Sequence, residues 1–597
     1  MYAKYYRIRY EELQDHVQNI LPELDEGEEH FDLEDDSNAG NDDSSNPNDI
    51  GAGGLIGINT EESYAESELI IEEDDIRNDE QEEGATFEAD FEDDFDSGEP
   101  PIPQRHDALI AKDQTAWLKN FPSQAVRVSS HNVFRGTVVG PTRATQGLIE
   151  CDVFELIFTP SMLQQILVDT NEKARKAYEI WNEKNCTGDK RIWEKLTLIE
   201  LRAFIGLVLL AGVNKSNDED VDVLWGQECI CFYRAVMPKS RFKEIVRFIR
   251  FDSERTRAVR LEANKAAPIS ELWTQMNANL RKYYQPSGEI TADEQLFAYR
   301  GRTRFTQYIP SKPAKYGIKV WFACDAKSFY PLKSEIYTGK NSNAGRANNV
   351  GEGVVQRLVC HWENTGRTII CDNFFTSLNL GKYLMSKGLA ILGTVRQNKT
   401  FVPYEMKADR NRAEESFIFG FLDGKFSLVS YVQKRGISVI ILASTPLTNS
   451  IVAEKKNKPQ YILDYDVNKG GVDAMDKMLS AYSTKRKTLR RPLAMFYNML
   501  DISSLASFII YSENNPYNRR TDVRRKFLRS LSKQLFMPAI EQRSQVPRVL
   551  GFHQTRKAIE IALDRSLSAT SNVDSSIYLI FPTINNQNIL YLVNTVK

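Results

Sequence analysis

The sequence has 597 residues and a formal net charge of -5, but its charges are divided very unevenly along the chain. Residues 1–100 carry 34 Asp and Glu against four Lys and Arg, which leaves 72 basic and 47 acidic residues in 101–597. No apolar run approaches the roughly 20 residues of a membrane span, and the polar start of the chain lacks the apolar core of a signal peptide. The chain is therefore predicted to be a multidomain protein with an acidic tail, a basic body and no membrane partner. Its seven scattered Cys residues suit a reducing compartment.

The tail, residues 1–105, is predicted to be disordered. Its long acidic blocks and few apolar residues bury too little surface to offset the entropy of ordering. A tethered polyanion of this kind can also compete with nucleic acid for the basic body. The Pro-rich segment 99–103 is typical of a stiff linker into the folded part.

From about 130 to 285 the sequence is predicted to be mostly helical. Residues 196–213 are apolar around much of the helix circumference, as in a buried helix. Residues 241–251 instead have one apolar face and one basic face. Such a face is usually solvated surface, but beside a metal site it can also follow a phosphate backbone.

The periodicity changes near residue 287, and a mixed α/β fold is predicted from there. Strands are expected over 289–296, 319–325, 328–337, 368–372 and 390–395, with a helix over 379–387. A separate β-rich insertion is predicted over 400–455, with a hairpin turn at Asp423-Gly424. A strand over 460–465 follows, then a helix from Gly471 and further helices over 492–512 and 520–536.

Three widely spaced carboxylates occupy positions where ligand sites form. Asp293 closes a predicted strand, Asp372 follows a short apolar strand, and Asp473 lies early in a helix with Asp476 one turn later. Oxygen ligands from distant segments are what a hard divalent ion needs, and paired Mg²⁺ ions catalyse phosphoryl transfer. Turn formation and helix N-terminal stabilisation would explain each carboxylate individually. Asp325, Asp464 and Asp466 are competing candidates on pattern alone.

Basic residues surround the first carboxylate and form a second cluster near residue 490. The first set is predicted to contact phosphates, with solvated hairpin charges as the alternative, and comprises Arg300, Arg302, Arg304, Lys312, Lys315 and Lys319. Residues 483–533 carry twelve basic residues against three acidic ones, including Lys485, Arg486, Lys487, Arg490 and Arg491. Such a segment is typical of a surface that follows the DNA backbone, and it also predicts nuclear localisation.

Several long strings support a more specific interpretation. They are TADEQLFAYRGRTRFTQYIPSKPAKYGIK (291–319), IICDNFFTS (369–377), GTVRQNK (393–399), DYDVNKGGVDAMDKM (464–478) and KRKTLRRP (485–492). In order and spacing they resemble the piggyBac family of DNA transposases and their domesticated derivatives. The resemblance extends from about residue 130 to 545.

The resemblance implies an RNase H-like catalytic domain, here 286–399 and 456–482, that cuts DNA and joins it to TTAA sites. The family's Asp triad corresponds to Asp293, Asp372 and Asp473, with Mg²⁺ or Mn²⁺ as cofactor, and Asp476 matches an additional acidic position. A helical DNA-binding and dimerisation domain is implied over 130–285 and 483–545. The implied partners are double-stranded DNA with transposon ends and a second copy of the chain, without a small-molecule substrate. Asn373, Arg396 and Lys399 are predicted to contact DNA.

Two departures from the family pattern bear on function. Arg491 stands where the family's best-known member has Trp, although Arg can also stack on a base. The family's Cys-rich zinc domain is expected after residue 545, but no Cys follows Cys371, so 546–597 is an atypical tail or a product of the gene model. A domesticated, non-transposing DNA- or chromatin-binding protein is therefore an alternative, and a structure-specific nuclease is a third.

Overall fold

The computed structural model describes residues 107–122, 134–136, 138–185, 189–226, 231–301, 303, 305–310, 312–339, 350–444, 446–516 and 522–567. The acidic tail, Arg302 and Arg304 lie outside this part of the chain, and so does the end of the C-terminal tail. The described residues all belong to the unit spanning 102–597.

Helices occupy most of the described chain between 150 and 285, as the sequence predicts. They are α1 (Glu150–Ile157), α2 (Pro160–Lys184), α3 (Leu198–Val213), α4 (Val221–Leu224), α5 (Phe232–Val236), α6 (Lys239–Phe248), α7 (Glu254–Ala263) and α8 (Ala267–Tyr283). The start of α3 is specified locally, because Thr197 accepts a hydrogen bond from Glu200 N at 3.2 Å and Glu200 occupies the third helical position. This arrangement has the sequence signature of a capping box.

The predicted basic face of residues 241–251 differs from the observed one. Arg241 is buried, with its Nε 2.6 Å from Glu200 Oε1 and its guanidinium 4.3 Å from the ring centroid of Trp193. The helix also ends at Phe248. Arg241 therefore joins α6 to the start of α3, because a planar guanidinium can pair with a carboxylate and stack on an aromatic ring at once.

The strands assemble mainly into one mixed sheet of eleven strands. The strands of the described chain are β1 (Ala108–Ile110), β2 (Ala116–Leu118), β3 (Gly140–Pro141), β4 (Tyr284–Gln285), β5 (Glu289–Ala298), β6 (Thr306–Tyr308), β7 (Tyr316–Asp325), β8 (Pro331–Ile336), β9 (Thr368–Cys371), β10 (Ala390–Thr394), β11 (Phe417–Leu422), β12 (Phe426–Lys434), β13 (Ile437–Ser444), β14 (Ile451–Val452) and β15 (Lys458–Pro459). The five strands predicted between 289 and 395 are confirmed, with small differences at their ends.

The order in the main sheet is β1-β2-β11-β12-β13-β10-β9-β5-β7-β6, and β8 pairs with β7. Strand β9 lies between β5 and β10 and is parallel to both, whereas β5, β7 and β8 pair antiparallel. Helix α9 (Val350–Val359) precedes β9, and α10 (Leu378–Ser386) connects β9 to β10. The predicted strand-helix-strand unit at 368–395 is therefore present.

The β-rich insertion is not separate from this sheet. Strand β13 pairs antiparallel with β10, so that Leu392 is level with Ala443. The predicted hairpin turn between β11 and β12 is confirmed, and both turn residues, Asp423 and Gly424, have positive φ angles of 53° and 61°. The insertion strands therefore extend the sheet because their backbone groups find partners along β10.

The insertion is completed by a segment to which the sequence analysis assigned no strand. Strand β2 joins β11 where Leu118 is level with Phe421. Trp117 is fully buried, and its Nε1 donates a hydrogen bond to Phe401 O at 2.8 Å. Strands β1 and β2, which follow the acidic tail in the sequence, thus form one edge of the sheet.

Residues 460–465 form a helix, and the strand predicted there is wrong. Helix α11 (Gln460–Asn468) starts after Pro459, which has an extended backbone at the N-cap position. The aromatic and β-branched residues favoured a strand. However, Tyr461, Ile462 and Tyr465 are all buried at the spacing of one helix face, so packing against the sheet determines the helix.

The remaining helices are α12 (Gly471–Ala481), α13 (Arg491–Asn514), α14 (Val523–Arg543), α15 (Pro547–Leu550) and α16 (His553–Leu563). The helices predicted from Gly471, over 492–512 and over 520–536 are confirmed. Among the described helices, α13 is long and apolar enough to cross a membrane, but 94% of its apolar stretch is buried inside the protein.

Helices α3 and α14 approach each other closely at a glycine. A Cβ atom on Gly206 would lie 2.9 Å from the backbone oxygen of Ser532 and 3.1 Å from Leu535 Cβ. Backbone atoms cannot yield as a flexible side chain can, so this position requires glycine.

We expect Gly206→Ala to lower the free energy of unfolding by about 1–3 kcal/mol, the usual cost of overpacking a core. Gly353→Ala in α9 is the matched control, because its Cβ would meet only the end of the Arg357 side chain, at 3.3 Å. Alanine favours a helix by up to about 1 kcal/mol over glycine, so the control should be neutral or stabilising. Thermal unfolding of both variants tests this, and equal midpoints would contradict the close approach.

Candidate active site

Asp293 and Asp372 lie side by side on neighbouring parallel strands. In the pairing of β5 with β9, Ala292 is level with Cys371, and each aspartate is the next residue along the chain. Because successive side chains of a strand alternate between the two faces, the two carboxylates project from the same face of the sheet. The register of β5 with β9 therefore places Asp293 and Asp372 next to each other although they are far apart in the sequence.

Helix α12 crosses this face and carries Asp473 in its first turn. Thr291 belongs to the same face as Asp293, and its Oγ1 donates to Asn468 O at 2.9 Å, just before the helix. A Cβ on Gly471 would lie 2.6 Å from Thr291 Oγ1. Gly471, the first residue of α12, thus lets the helix start directly against β5.

The third carboxylate is held by a lysine. Lys312 Nζ lies 3.0 Å from Asp473 Oδ1 and 3.3 Å from the backbone oxygen of Glu294. Burial alone would lower the pKa of Lys312. The negative charges of Asp293 and Asp473 outweigh this effect and raise the pKa of the ammonium above its usual value. The Asp473 side chain is 63% exposed. The ammonium of Lys312 thus supplies a positive charge beside the carboxylates.

The other two carboxylates lack enough compensating charge. Burial, then the charges of Glu294 and Asp372, raises the pKa of Asp293 to about 8. Burial, then the charge of Glu294, also raises the pKa of Asp372 above its usual range. Closely spaced carboxylates disfavour each other's ionisation, and a divalent cation removes that penalty when it binds.

These residues fit a divalent metal in donor chemistry and in charge. Carboxylate oxygens are the ligands that Mg²⁺ and Mn²⁺ prefer. In the described part of the chain, no three His, Cys, Asp or Glu side chains are close enough together to hold an ion. The reason is visible in the geometry, since Asp293 and Asp372 are adjacent whereas Asp473 is paired with Lys312.

Asp476 has a different environment from Asp473. Its Oδ1 accepts a hydrogen bond from Gln295 Nε2 at 2.7 Å, and Gln295 Oε1 accepts one from Asn498 Nδ2 at 2.9 Å. Burial raises the pKa of Asp476 above its usual range. This network joins α12 to β5 and α13. The role of Asp476 in metal binding stays a prediction.

The loop after Asp372 is tightly fixed. Asp372 Oδ1 accepts a hydrogen bond from Phe374 N at 2.9 Å, and the backbone oxygen of Asp372 accepts one from Thr376 Oγ1 at 2.7 Å. A Cβ on Gly393 of β10 would lie 2.2 Å from Thr376 Oγ1, so the neighbouring strand must have glycine there. These contacts position the carboxylate before any ligand binds.

The competing carboxylates lie in other settings. Asp325 is buried at the end of β7, level with Ile290 of β5, and its oxygens accept hydrogen bonds from Ser287 N and Ser328 N at 2.7 and 2.8 Å. Asp464 accepts from Gln460 Nε2 at 2.8 Å within α11. Asp466 pairs with Lys469 at 2.9 Å. Each therefore has a local structural partner.

Three residues that no sequence pattern singled out adjoin the predicted triad. Glu294 raises the pKa of both Asp293 and Asp372, and Gln295 holds Asp476. Both belong to the DEQ string that starts at Asp293, so their position in the sequence already indicated that they lie near this carboxylate. Thr394 at the end of β10 is level with Asp372, and only the strand register reveals it.

Several predicted DNA contacts line the edge of the site. Arg396 Nε lies 3.4 Å from Asn373 Oδ1, and both residues are exposed beside Asp372. Lys399 donates its backbone N–H to Arg396 O at 3.2 Å. On the other side, Lys319 Nζ lies 4.4 Å from the ring centroid of Trp321, and burial lowers its pKa.

Arg300 and Lys315 flank the β6–β7 hairpin. The guanidinium of Arg300 lies 5.8 Å from the ring centroid of Tyr316, and both Arg300 and Lys315 are exposed. The neighbouring Tyr308 and Tyr316 rings contact each other with centroids 4.6 Å apart. The hairpin therefore presents charged and aromatic groups near Lys312.

Some basic residues of the segment 485–491 make structural contacts, whereas others are exposed to solvent. Arg490 donates to the backbone oxygens of Val246, Arg247 and Ile249 at 2.7, 3.1 and 2.5 Å. These carbonyls end helix α6, so Arg490 supplies the donors that the helix terminus lacks. Lys487, by contrast, is exposed.

The other basic residues of this segment are partly buried. Arg486 Nη2 donates to Glu219 O at 2.6 Å, and burial lowers the pKa of Lys485. Arg491 lies over the ring of Phe305, with its guanidinium carbon 5.1 Å from the centroid. The segment thus contacts both the helical region, through Glu219, and the chain between β5 and β6, through Phe305.

Comparisons with known proteins agree with this architecture. The family model described as Transposase IS4 matches residues 150–508. Human PiggyBac transposable element-derived protein 2 is 23% identical over 371 residues, covering 58% of each chain. Human PiggyBac transposable element-derived protein 3 is 25% identical over 374 residues, covering 58% of this chain and 61% of the relative. The match thus spans less than two thirds of either relative.

A solved structure extends the match. The cryo-EM structure of a piggyBac transposase synaptic complex with hairpin DNA is 31% identical, with a TM-score of 0.65. The alignment covers 74% of this chain and 91% of that chain. The mixed fold and the matched model define the class as DDE-type transposases. Within that class, the chain belongs to the piggyBac transposase family.

We expect divalent metal binding to strengthen as pH rises toward 8. The proton on Asp293 has a pKa of about 8 and competes with the metal, so the affinity falls by up to about tenfold per pH unit below that value. Calorimetric titration with Mn²⁺ between about pH 6 and pH 8 measures this. Asp464→Asn is the control and should leave the pH dependence unchanged. Equal affinity across this range would contradict the raised pKa.

We also expect Arg490→Ala to lower the free energy of unfolding by about 2 kcal/mol, because it removes charged hydrogen bonds to several carbonyls. Lys487→Ala should change it by less than about 0.5 kcal/mol, as is usual for an exposed side chain. Thermal unfolding midpoints of the two variants provide the comparison. If the Arg490 variant matched wild type, its contacts at the end of α6 would have no structural role.

Proposed function

We propose that this chain is a metal-dependent DNA transposase that cuts and joins DNA strands at TTAA sites. Asp293, Asp372 and Asp473 are its proposed metal-binding triad. The observation that carries the proposal is the pair of level carboxylates, Asp293 and Asp372, whose raised pKa values reflect charge that a divalent cation would compensate. Helix α12 brings the third carboxylate to the same face of the sheet.

The catalytic core is proposed to be RNase H-like, over residues 286–399 and 456–482. The strand order β8-β7-β5-β9-β10 supports this, with three antiparallel strands followed by two parallel ones. The helical segments 130–285 and 483–545 are the proposed DNA-binding and dimerisation domain. The extension β11–β13 is the proposed insertion between the two catalytic segments.

The chemistry requires no side-chain nucleophile. Mg²⁺ or Mn²⁺ on the carboxylates would activate water or a 3′ hydroxyl and stabilise the leaving oxygen, and Asp476 is a further candidate ligand. The protein must first lose the proton of Asp293 and release Asp473 from Lys312. The released Lys312 ammonium would then be free to pair with a DNA phosphate beside the site.

The proposed substrate is double-stranded DNA with transposon ends. The net charge of +25 over residues 101–597 supports non-specific attraction to phosphates. Arg396 lies beside Asp372, and Arg300 and Lys399 are further proposed phosphate contacts. Arg302, Arg304 and Lys315 extend the proposed contact surface. The similar solved structure is a transposase bound to hairpin DNA, which supports the same class of partner. A homodimer and a nuclear location complete the proposal.

A second candidate is a DNA- or chromatin-binding protein that no longer transposes. The ion pair of Lys312 with Asp473 favours it, because a triad member paired with lysine is withdrawn from metal binding. This candidate predicts DNA binding without strand cleavage.

Asp372→Asn should reduce metal-dependent nicking of plasmid DNA by at least about 100-fold, because the metal supplies several kcal/mol of transition-state stabilisation. Asp464→Asn is the matched control and should keep wild-type activity. Gel electrophoresis with Mg²⁺ or Mn²⁺ measures the products, and thermal unfolding checks the fold of each variant. Full activity of Asp372→Asn would reject the triad. DNA binding without nicking by the wild-type chain would favour the second candidate.

A further inference from the structure

A cavity of about 380 Å³ lies between the main sheet and helix α11. Val439 and Ile441 of β13 form its floor together with Tyr431 of β12, and Ile462 and Tyr465 of α11 close it from the other side. Its volume lies in the range of about 300–1,000 Å³ that is usual for small-molecule sites. The cavity is therefore large enough for a compact organic group.

The cavity opens on the face of the sheet that carries the catalytic carboxylates. Gly393 of β10 is level with Cys371 of β9, so the next residues, Thr394 and Asp372, are also level and share a face. Thr394 lines the cavity, and adjacent strands are about 4.8 Å apart. The cavity thus begins one strand away from Asp372.

Helix α11 links the two places. Tyr465 OH lies 3.3 Å from Thr394 Oγ1 at the boundary between the cavity and the carboxylates. The same helix leads through Asn468 directly into α12, which carries Asp473. A group bound in the cavity would therefore touch the element that positions the third carboxylate.

The chemistry of the lining suits a heterocyclic base attached to a phosphate. Apolar and aromatic side chains cover the interior, whereas the rim is polar. At the rim, Lys469 Nζ lies 2.9 Å from Asp466 Oδ1 and Lys458 Nζ lies 3.4 Å from Asp466 Oδ2. Two lysines against one carboxylate leave a net positive charge, which attracts a phosphate backbone. Gln433 is exposed at the mouth and offers an amide for hydrogen bonding.

We propose that this cavity receives one unpaired base of the bound DNA, close to the phosphate held by the carboxylates. The inference rests on the proposed function, because it takes the scissile phosphate to lie at Asp293 and Asp372. A base within a duplex is stacked on both sides and cannot enter an enclosed cavity, whereas an unpaired base can rotate out of the stack. Stacking on aromatic side chains then offsets the cost of unpairing.

Photo-crosslinking of the full chain tests this assignment. Short duplexes containing TTAA and a 3′ hydroxyl at its edge carry 5-iodouracil or 8-azidoadenine at one position each, and Ca²⁺ replaces Mg²⁺ to prevent cleavage. Mass spectrometry identifies the attached residue. We expect one position next to the 3′ hydroxyl to crosslink to Tyr465 or Tyr431 at least about fivefold more than its neighbours.

Gln433→Trp places a large ring at the mouth of the cavity and should reduce this crosslink at least about fivefold, because the base is excluded from the pocket. Lys434→Trp is the matched control, since Lys434 is the next residue of β12, is equally exposed and does not line the cavity. Val439→Trp, which fills the cavity from its floor, is a second test. Both DNA affinity and thermal unfolding are measured for each variant.

The outcomes separate this inference from the proposed function. A crosslink that both cavity variants remove and the control keeps supports the cavity, even if the chain never cleaves DNA. Cleavage without any crosslink to the cavity overturns the inference and leaves the proposed function intact. A crosslink that survives Gln433→Trp and Val439→Trp also overturns it, because the base must then lie elsewhere.

Discussion

The parallel pairing of β9 with its two neighbours is the constraint on which the site depends. It makes Asp293, Asp372 and Thr394 level on three adjacent strands. A shift of one residue in either pairing would turn the affected side chain to the opposite face of the sheet. Gly393 secures the arrangement, because any larger residue would collide with the hydroxyl of Thr376 in the loop after Asp372.

The electrostatics follow from that geometry. Burial and the charge of Glu294 raise the pKa values of Asp293 and Asp372, and the charge of Asp372 raises that of Asp293 further. Lys312 compensates part of this charge through Asp473. Its ammonium pairs with the exposed carboxylate of Asp473, whereas Asp293 and Asp372 keep their raised pKa values.

Buried polar contacts connect the helical region to strand β5. Gln295 of β5 bridges Asp476 on α12 and Asn498 on α13, and Arg490 fixes the end of α6. Buried polar groups need partners, so the Gln295 contacts specify how α12 and α13 sit against β5, and the Arg490 contacts specify how α13 sits against α6. Part of the basic segment therefore serves the architecture, whereas Lys487 is exposed to solvent.

The sequence by itself determined the helices before residue 285, the strands around Asp293 and Asp372, and the resemblance that identifies the family. These features rest on local periodicity and on motifs that are contiguous in the chain. The composition of residues 460–465 predicted a strand. These residues form a helix, because packing against the sheet favours that conformation. Only the tertiary structure decided which carboxylates are adjacent, that Lys312 holds Asp473 and that Arg490 ends α6. A pattern reports which face of an element is buried, whereas the partner of that face depends on segments far away in the sequence.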